Sequence, residues 1–264
     1  MRPAARTDAR VVLTLLALLM AGIAAGALNA AGGGGTFVAL PALVAAGLSP
    51  VTANASTTVA LLPGALASAW TFRREIGPVG ETSIRSLAVA SVLGGGLGAG
   101  LLLALPPVSF AAAVPWLLAF ATLVLAFGRR LAGALGAALH RPLGISPRAV
   151  LIAQFVLAIY GGYFGGAVGI LMLALWSVGL GLDAAKGNPM RVTQIGAIYA
   201  TAAVLFLLAA DVLQDPLPLL AMLVGALAGG FGGAHVTRRL SARVLRAVVL
   251  STAVTMTVLY FLRG

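Results

Sequence analysis

The chain has 264 residues, of which 61% are hydrophobic and 9% charged, and its mean hydropathy is +1.07. So few charges exclude an ordinary soluble domain, which needs a charged surface to stay in solution. The net charge of +11 comes from basic residues that cap apolar runs, so we expect contact with a lipid bilayer and no binding to nucleic acid. Because the chain has no cysteine, disulfides and thiolate metal sites are excluded.

Apolar segments follow one another along the chain in two similar sets. In the first set we predict helices at 10–31, 52–72, 85–105 and 108–128, with a short segment at 35–48. In the second set we predict helices at 148–165, 191–210, 217–234 and 244–262, with a short segment at 169–182. A helix rises about 1.5 Å per residue and needs about 20 residues to cross the hydrocarbon. The two short segments are therefore predicted to be half-helices or steeply packed segments.

The two sets are copies of each other. Gly32 aligns with Gly166 and Asn54 aligns with Asn188, each pair 134 positions apart (166 − 32 and 188 − 54). The same offset places the glycines near residue 95 on those near residue 229. The N-terminal segment resembles a signal peptide, with arginines before an apolar centre. It aligns with an internal segment, however, so we predict a retained first helix.

Basic residues indicate how the two copies are oriented. They occupy the loop at 73–85 in the first copy, but the loop at 235–246, one step later, in the second. Because cytoplasmic loops are enriched in arginine and lysine, this switch predicts two inverted repeats related by an axis in the membrane plane. The N-terminal arginines conflict with the predicted outside position of that tail. Either the tail is translocated, or the first two segments do not both cross.

The predicted fold is an all-α polytopic membrane protein with two inverted repeats of about five segments each. Each repeat has four long helices plus one short or broken helix, giving about 8–10 transmembrane segments. The repeats are predicted at 1–130 and 148–264, joined by a cytoplasmic loop at 131–147 that contains Pro142, Gly144 and Pro147.

The glycine-rich breaks beside the two short segments are the predicted binding site. Equivalent breaks in inverted repeats indicate a site near the midplane, where helix N-termini offer N–H groups and partial positive charge. All six acidic residues lie in tails or loops, so the site favours an anion over a cation. The predicted substrate-binding residues are Gly32, Gly33, Gly34, Gly35, Thr36, Asn54, Thr57, Thr58, Gly165, Gly166, Gly169, Asn188, Arg191, Thr193 and Gln194.

Each of these features has a structural alternative. Glycines in membrane helices commonly permit close packing, which is the favoured interpretation at 94–100 and 225–233. Buried threonines can bond to their own helix, and Arg191 can extend to the membrane interface. The glycines lack the lysine of a phosphate-binding loop, and the two histidines and scattered acids form neither a metal site nor a catalytic triad. We therefore expect no enzyme activity, no metal and no cofactor.

These residues resemble the TauE/SafE family, the sulfite exporter-like permeases. The resemblance rests on Gly26–Pro41, on its continuation through Gly47-Leu48, Ala53-Asn54 and Thr57-Thr58, and on their repeat at Gly161–Gln194, and it covers nearly the whole chain. It implies a multi-pass inner-membrane transporter of small sulfur-containing or organic anions, such as sulfite, sulfoacetate and related sulfonates. The chain departs from the family at Asn188-Pro189-Met190-Arg191, where small residues and threonine are usual, and Arg191 would strengthen selection of anions there.

The leading hypothesis is a secondary transporter of a small sulfur oxyanion or organosulfonate that works by alternating access. Asn54, Thr57 and Thr58 would face Asn188, Thr193 and Gln194 across the pseudo-two-fold axis. The expected partners are the small anion and the lipid bilayer, and a homo-oligomer is compatible with the sequence. The alternatives are an anion channel of the same fold and a membrane subunit that serves soluble partners.

Overall fold

The computed structural model describes residues 3–32, 34–139, 142–237 and 242–263, and most of this chain is helical. Short connections separate the helices, and a 3-10 turn at Asp211–Leu213 follows the eighth. The helices are α1 (Pro3–Gly32), α2 (Thr36–Ala45), α3 (Pro50–Thr71), α4 (Ile84–Ala104), α5 (Pro107–Leu139), α6 (Pro147–Tyr163), α7 (Val168–Leu180), α8 (Ala184–Ala209), α9 (Pro216–Thr237) and α10 (Ala242–Arg263).

The predicted all-α polytopic fold is confirmed. Within the described residues, four helical stretches are long and apolar enough to cross a membrane, namely Ala9–Asn29, Ile84–Ala104, Pro107–Gly128 and Ala185–Ala209. Shorter apolar helices accompany them. The helices α2 and α7 have 10 and 13 residues, which at about 1.5 Å per residue falls well short of the hydrocarbon thickness of about 30 Å. As predicted, neither is long enough to cross the membrane alone.

Three predicted boundaries need correction. The helix α1 begins at Pro3 and not at 10. The helix α5 continues to Leu139, so much of the segment predicted as a loop at 131–147 is helical. The helix α8 begins at Ala184 and not at 191. It begins early because the Asp183 carboxylate accepts hydrogen bonds from the backbone N–H groups of Ala185 at 2.8 Å and Lys186 at 3.4 Å, which caps the helix. Asn188 therefore lies inside a helix and not in a break before one.

Helix contacts repeat between the two halves of the chain. The helix α1 packs along α9, and its counterpart α6 packs along α4. Likewise α2 contacts α10 while α7 contacts α5, and α3 contacts α9 while α8 contacts α4. The counterparts α3 and α8 pack against each other. The two halves are thus interleaved, because the fourth helix of each packs on the first helix of the other.

Glycines allow the interleaved helices to approach backbone to backbone. A Cβ atom on Gly229 of α9 would overlap the Ile23 carbonyl of α1, and one on Gly98 of α4 would overlap the Ile159 carbonyl of α6. Any larger residue would push either pair of helices apart. By contrast, a Cβ on Gly100 would meet no atom within 4 Å. For Gly98 and Gly229 the structure thus supports the packing interpretation of these glycine runs.

Candidate anion-binding site

The two breaks differ in backbone conformation. At the first break α1 ends at Gly32 and α2 begins at Thr36; Gly34 and Gly35 are buried, and Gly33 lies outside the described residues. At the second break, between Tyr163 and Val168, Gly165 has φ +82° and Ala167 has φ +60°. These left-handed residues end α6 and redirect the chain into α7. The helices α2 and α7 begin directly after the breaks, and in their first turns the N–H groups of Val38 and Leu171 donate to the Gly35 and Ala167 carbonyls at 3.1 and 3.2 Å. The positive ends of both helix dipoles therefore lie at the breaks.

Arg191 of α8 lies against the first turn of α7. Its side chain is 4% exposed, and its Nε donates a hydrogen bond to Asn188 Oδ1 at 2.9 Å. A Cβ on Gly169 would lie 2.9 Å from Arg191 Nη1, so the guanidinium approaches this closely because residue 169 has no side chain. Arg191 is therefore enclosed by protein and does not extend to the interface, the alternative considered from sequence.

Tyr199 connects this guanidinium to the first break. Its buried side chain is hydrogen-bonded to that of Thr36, the first residue of α2, and it interacts electrostatically with Arg191. A Cβ on Gly165 would lie 3.3 Å from the Tyr199 hydroxyl, so the second break passes directly beside it. Thr36, Gly165, Gly169, Arg191 and Tyr199 thus form one group, called the break cluster below, that joins the starts of both short helices.

Asn54 brings the first half of the chain to the second break. Its side chain is 1% exposed, and its Nδ2 donates a hydrogen bond to the Tyr163 carbonyl at 3.0 Å. Tyr163 is the last residue of α6, so this bond caps the helix immediately before the break. Within the described part of the chain, Asn54 Oδ1 has no hydrogen-bond partner.

The predicted threonines other than Thr36 bond to their own helices. Thr57 Oγ1 donates to the Ala53 carbonyl at 2.8 Å, and Thr58 Oγ1 donates to the Asn54 carbonyl at 3.2 Å. Thr193 Oγ1 likewise donates to the carbonyl of the residue four positions earlier, at 2.9 Å. Their hydroxyl protons are therefore used within the helix, as the structural alternative anticipated, and are not directed at a ligand.

Gln194 takes part in a buried polar network that ties three helices together. Its Oε1 accepts a hydrogen bond from Ser91 Oγ of α4 at 2.7 Å, and its Nε2 lies 2.8 Å from Met190 Sδ. Ser91 Oγ in turn accepts from Gln154 Nε2 of α6 at 2.8 Å. This predicted site residue therefore links α8 to α4 and α6.

Gly166, another predicted site residue, stabilises the second break through its backbone. Its carbonyl accepts a hydrogen bond from the Tyr160 hydroxyl at 2.7 Å. Tyr160 belongs to α6, so this bond fixes the path of the chain as it leaves that helix. Gly166 thus supplies a backbone acceptor that ties the second break to α6.

A family model matches almost the whole chain. The family model described as Sulfite exporter TauE/SafE matches residues 18–260 of the chain. The chain belongs to the TauE/SafE family. No curated protein and no solved structure matches the chain. Membership in this family suggests a membrane transporter of sulfur-containing anions, and the matched range includes both breaks and every residue of the break cluster.

Sequence reasoning missed three polar side chains of this TauE/SafE protein. Tyr199, Gln154 and Ser91 all lie inside apolar stretches. A polar group in such a stretch must find a partner within the protein, because hydrocarbon supplies none. Counting isolated polar residues within each predicted span would have marked them as sites where helices meet, although it would not have named their partners.

Charge decides what the break cluster can bind. Among the described residues, Arg191 forms no ion pair with a carboxylate, and its hydrogen-bond partner is the neutral amide of Asn188. The described residues contain no group of three or more histidine, cysteine, aspartate or glutamate side chains that could hold a metal ion. A buried guanidinium beside a helix N-terminus is electrostatically suited to an anion.

Proposed function

We propose that this TauE/SafE protein is a secondary transporter that moves a small sulfur oxyanion or organosulfonate, such as sulfite or sulfoacetate, across the cytoplasmic (inner) membrane by alternating access. The observation that carries the proposal is Arg191, which is 4% exposed and has no carboxylate partner among the described residues. Burying an unpaired charge is costly, and an anionic ligand would offset that cost.

The chemistry of arginine supports an oxyanion in particular. A guanidinium presents planar N–H groups that match two oxygens of a sulfonate or sulfite at once. In Arg191 the Nε donates to Asn188 Oδ1, and in the proposal the two Nη groups bind the oxygens of the ligand. The partial positive charge at the start of α7 adds to this attraction.

The arrangement of the helices supports alternating access. The break cluster takes residues from α2, α7 and α8 and the connection after α6, so it spans both halves of the chain. In the proposal, an axis in the membrane plane relates the halves, and rocking about that axis exposes the cluster to either side in turn. The left-handed residues of the second break provide a natural hinge.

Thermal unfolding of the purified protein with a panel of anions tests the site. Sulfite or sulfoacetate should raise the unfolding temperature of the wild type, because a ligand that binds only the folded state stabilises it. Arg191→Gln should abolish the shift, while Arg148→Gln, which changes an exposed arginine, should keep it. An undiminished shift in Arg191→Gln would contradict the proposed site.

Proteoliposome uptake separates a transporter from a channel. A transporter should show saturable uptake that is accelerated when unlabelled substrate is present on the far side. Uptake that follows the gradient without saturation or acceleration would instead indicate a channel and contradict alternating access.

A further inference from the structure

The side chain of Asn54 has a buried oxygen without a hydrogen-bond partner among the described residues. Asn54 is 1% exposed, and its Oδ1 has no hydrogen-bond partner within the described residues. The orientation of the amide is determined by its neighbour: Nδ2 faces the Tyr163 carbonyl at 3.0 Å, and an amide oxygen turned toward that carbonyl would be repelled. The buried group left over is therefore an acceptor and not a donor.

In the second half, the asparagine that aligns with Asn54 has a hydrogen-bond partner for its side-chain oxygen. Asn188, 134 positions after Asn54 (188 − 54), uses its Oδ1 to accept a hydrogen bond from Arg191 Nε at 2.9 Å. The residue of the first half that aligns with Arg191 is Thr57, whose hydroxyl donates to the Ala53 carbonyl. The first half thus has the same acceptor but lacks the side chain that would satisfy it.

Burying an acceptor without a hydrogen-bond partner costs free energy, and a ligand that donates a hydrogen bond to it removes that cost. The Tyr163 carbonyl that holds Asn54 belongs to the residue directly before the second break, whose next glycine, Gly165, passes beside Tyr199 of the break cluster. The proposed anion site therefore combines N–H donors with an acceptor next to the same break, Asn54 Oδ1, that has no partner among the described residues.

We propose that Asn54 Oδ1 accepts a hydrogen bond from the transported anion, so that the preferred substrate is a small sulfonate that also carries an O–H or N–H donor. This inference rests on the proposed function, since it assumes that the anion binds at the break cluster. It divides the substrate class in two, favouring hydroxyl- or amino-bearing sulfonates over purely apolar alkanesulfonates of the same size.

Two sulfonates of matched size test the inference. The compounds are 2-hydroxyethanesulfonate and 1-propanesulfonate, in which a methyl group replaces the hydroxyl. The affinity of each is measured from the concentration dependence of thermal stabilisation of the full-length protein. The wild type should bind the hydroxyl compound at least about tenfold more tightly, because the methyl analogue leaves the buried acceptor unsatisfied. Equal affinities would overturn the inference and would indicate that water satisfies Asn54.

Two substitutions test whether Asn54 is responsible for the preference for the hydroxyl compound. Asn54→Leu should bind 1-propanesulfonate at least as well as the wild type does and should lose the preference for the hydroxyl compound. Ser56→Ala serves as the matched control, because Ser56 Oγ is also buried without a partner in the described structure but lies two residues along the same helix. It should keep the full preference. If Ser56→Ala loses the preference and Asn54→Leu keeps it, the acceptor is not Asn54 and the inference is overturned.

The outcomes separate this inference from the proposed function. Binding of both sulfonates with equal affinity, abolished by Arg191→Gln, would leave the transporter proposal intact and overturn only the role of Asn54. Absence of binding by any sulfonate or by sulfite would contradict both. If Asn54→Leu fails to fold, the preference of the wild type alone still decides whether a donor on the ligand is recognised.

Discussion

The two halves place an asparagine at the same position of equivalent helices, Asn54 in α3 and Asn188 in α8, yet the two amides have different partners. Asn188 holds Arg191, whereas Asn54 reaches across to the carbonyl of Tyr163 and leaves its oxygen free. Two further aligned positions also differ between the halves. Tyr199 aligns with Ala65, and Arg191 aligns with Thr57.

This comparison separates the features that the two halves share from those that differ between them. Helix order and helix packing repeat between the halves, so the framework is shared. The buried guanidinium and Tyr199 belong to the second half, where Gln154 and Gln194 also lie, joined through Ser91 of the first half. The helix framework is thus pseudosymmetric, whereas the proposed site is asymmetric. Substitutions can test the framework and the site separately.

The largest loss of stability should come from substitutions at the helix interfaces that both halves share. Gly98→Leu and Gly229→Leu should each cost about 3 kcal/mol or more in folding free energy, because a side chain there would overlap the backbone of the packed helix. The loss should be similar for both variants because α4–α6 and α1–α9 are equivalent interfaces. Thermal unfolding in detergent measures it, with Gly100→Leu, which faces open space, as the control. A folded, wild-type-like Gly229→Leu would refute the interleaved packing.

Equivalent glycines at the two breaks should respond differently to alanine. A methyl on Gly169 would lie 2.9 Å from Arg191 Nη1, whereas one on Gly35 would lie 2.6 Å from the Ala25 carbonyl. Gly169→Ala should therefore weaken anion binding about tenfold, or roughly 1.4 kcal/mol, while it keeps the fold. Gly35→Ala should mainly lower the unfolding temperature, since a backbone carbonyl cannot move aside. Anion titration and thermal unfolding of both variants check this, and identical behaviour would argue against an asymmetric site.

Tyr199→Phe should have a smaller effect. It removes the hydroxyl bonded to Thr36 and should cost about 1 kcal/mol of stability, a typical net value for one hydrogen bond. Anion binding should also weaken, because the link between the two breaks is lost. Thr201→Val, which removes a hydroxyl bonded within the same helix, is the matched control for stability and should leave anion affinity unchanged.

The smallest expected change is an increase in stability. Ala167 has φ +60°, a left-handed conformation that costs a residue with a side chain roughly 1 kcal/mol. The aligned position in the first half is a glycine, Gly33. Ala167→Gly should therefore raise the unfolding free energy by up to about 1 kcal/mol, offset by the greater entropy of glycine in the unfolded chain. A marked loss of stability would indicate that the Ala167 methyl makes contacts worth more than the strain.

The helices themselves could be predicted because length and hydropathy determine them. Prolines at Pro50, Pro107, Pro147 and Pro216 stand in the first turns of α3, α5, α6 and α9, where proline is favoured. The early start of α8 was missed because it depends on the cap at Asp183, which hydropathy does not register. The continuation of α5 to Leu139 was missed because loop boundaries were judged from proline and glycine alone.

The site was harder to predict because it depends on which helices become neighbours. Residue spacing indicated Asn54 and Arg191, but hydropathy contains no information on the pairing of α1 with α9 or on the contact between Tyr199 and Thr36. The threonine hydroxyls illustrate the same limit. Thr57 has an acceptor in its own helix, and its local bond leaves Asn54 without the partner that Arg191 gives to Asn188.

Anion binding by the Arg191→Gln and Arg191→Lys variants shows whether the buried guanidinium holds the anion. We expect sulfite or a sulfonate to stabilise the wild type. Arg191→Gln should weaken binding at least about thirtyfold, since loss of one partner of a buried charge pair costs about 2 kcal/mol or more, and Arg191→Lys should recover only part of the affinity. Wild-type affinity in a folded Arg191→Gln variant would contradict the account and place the anion elsewhere.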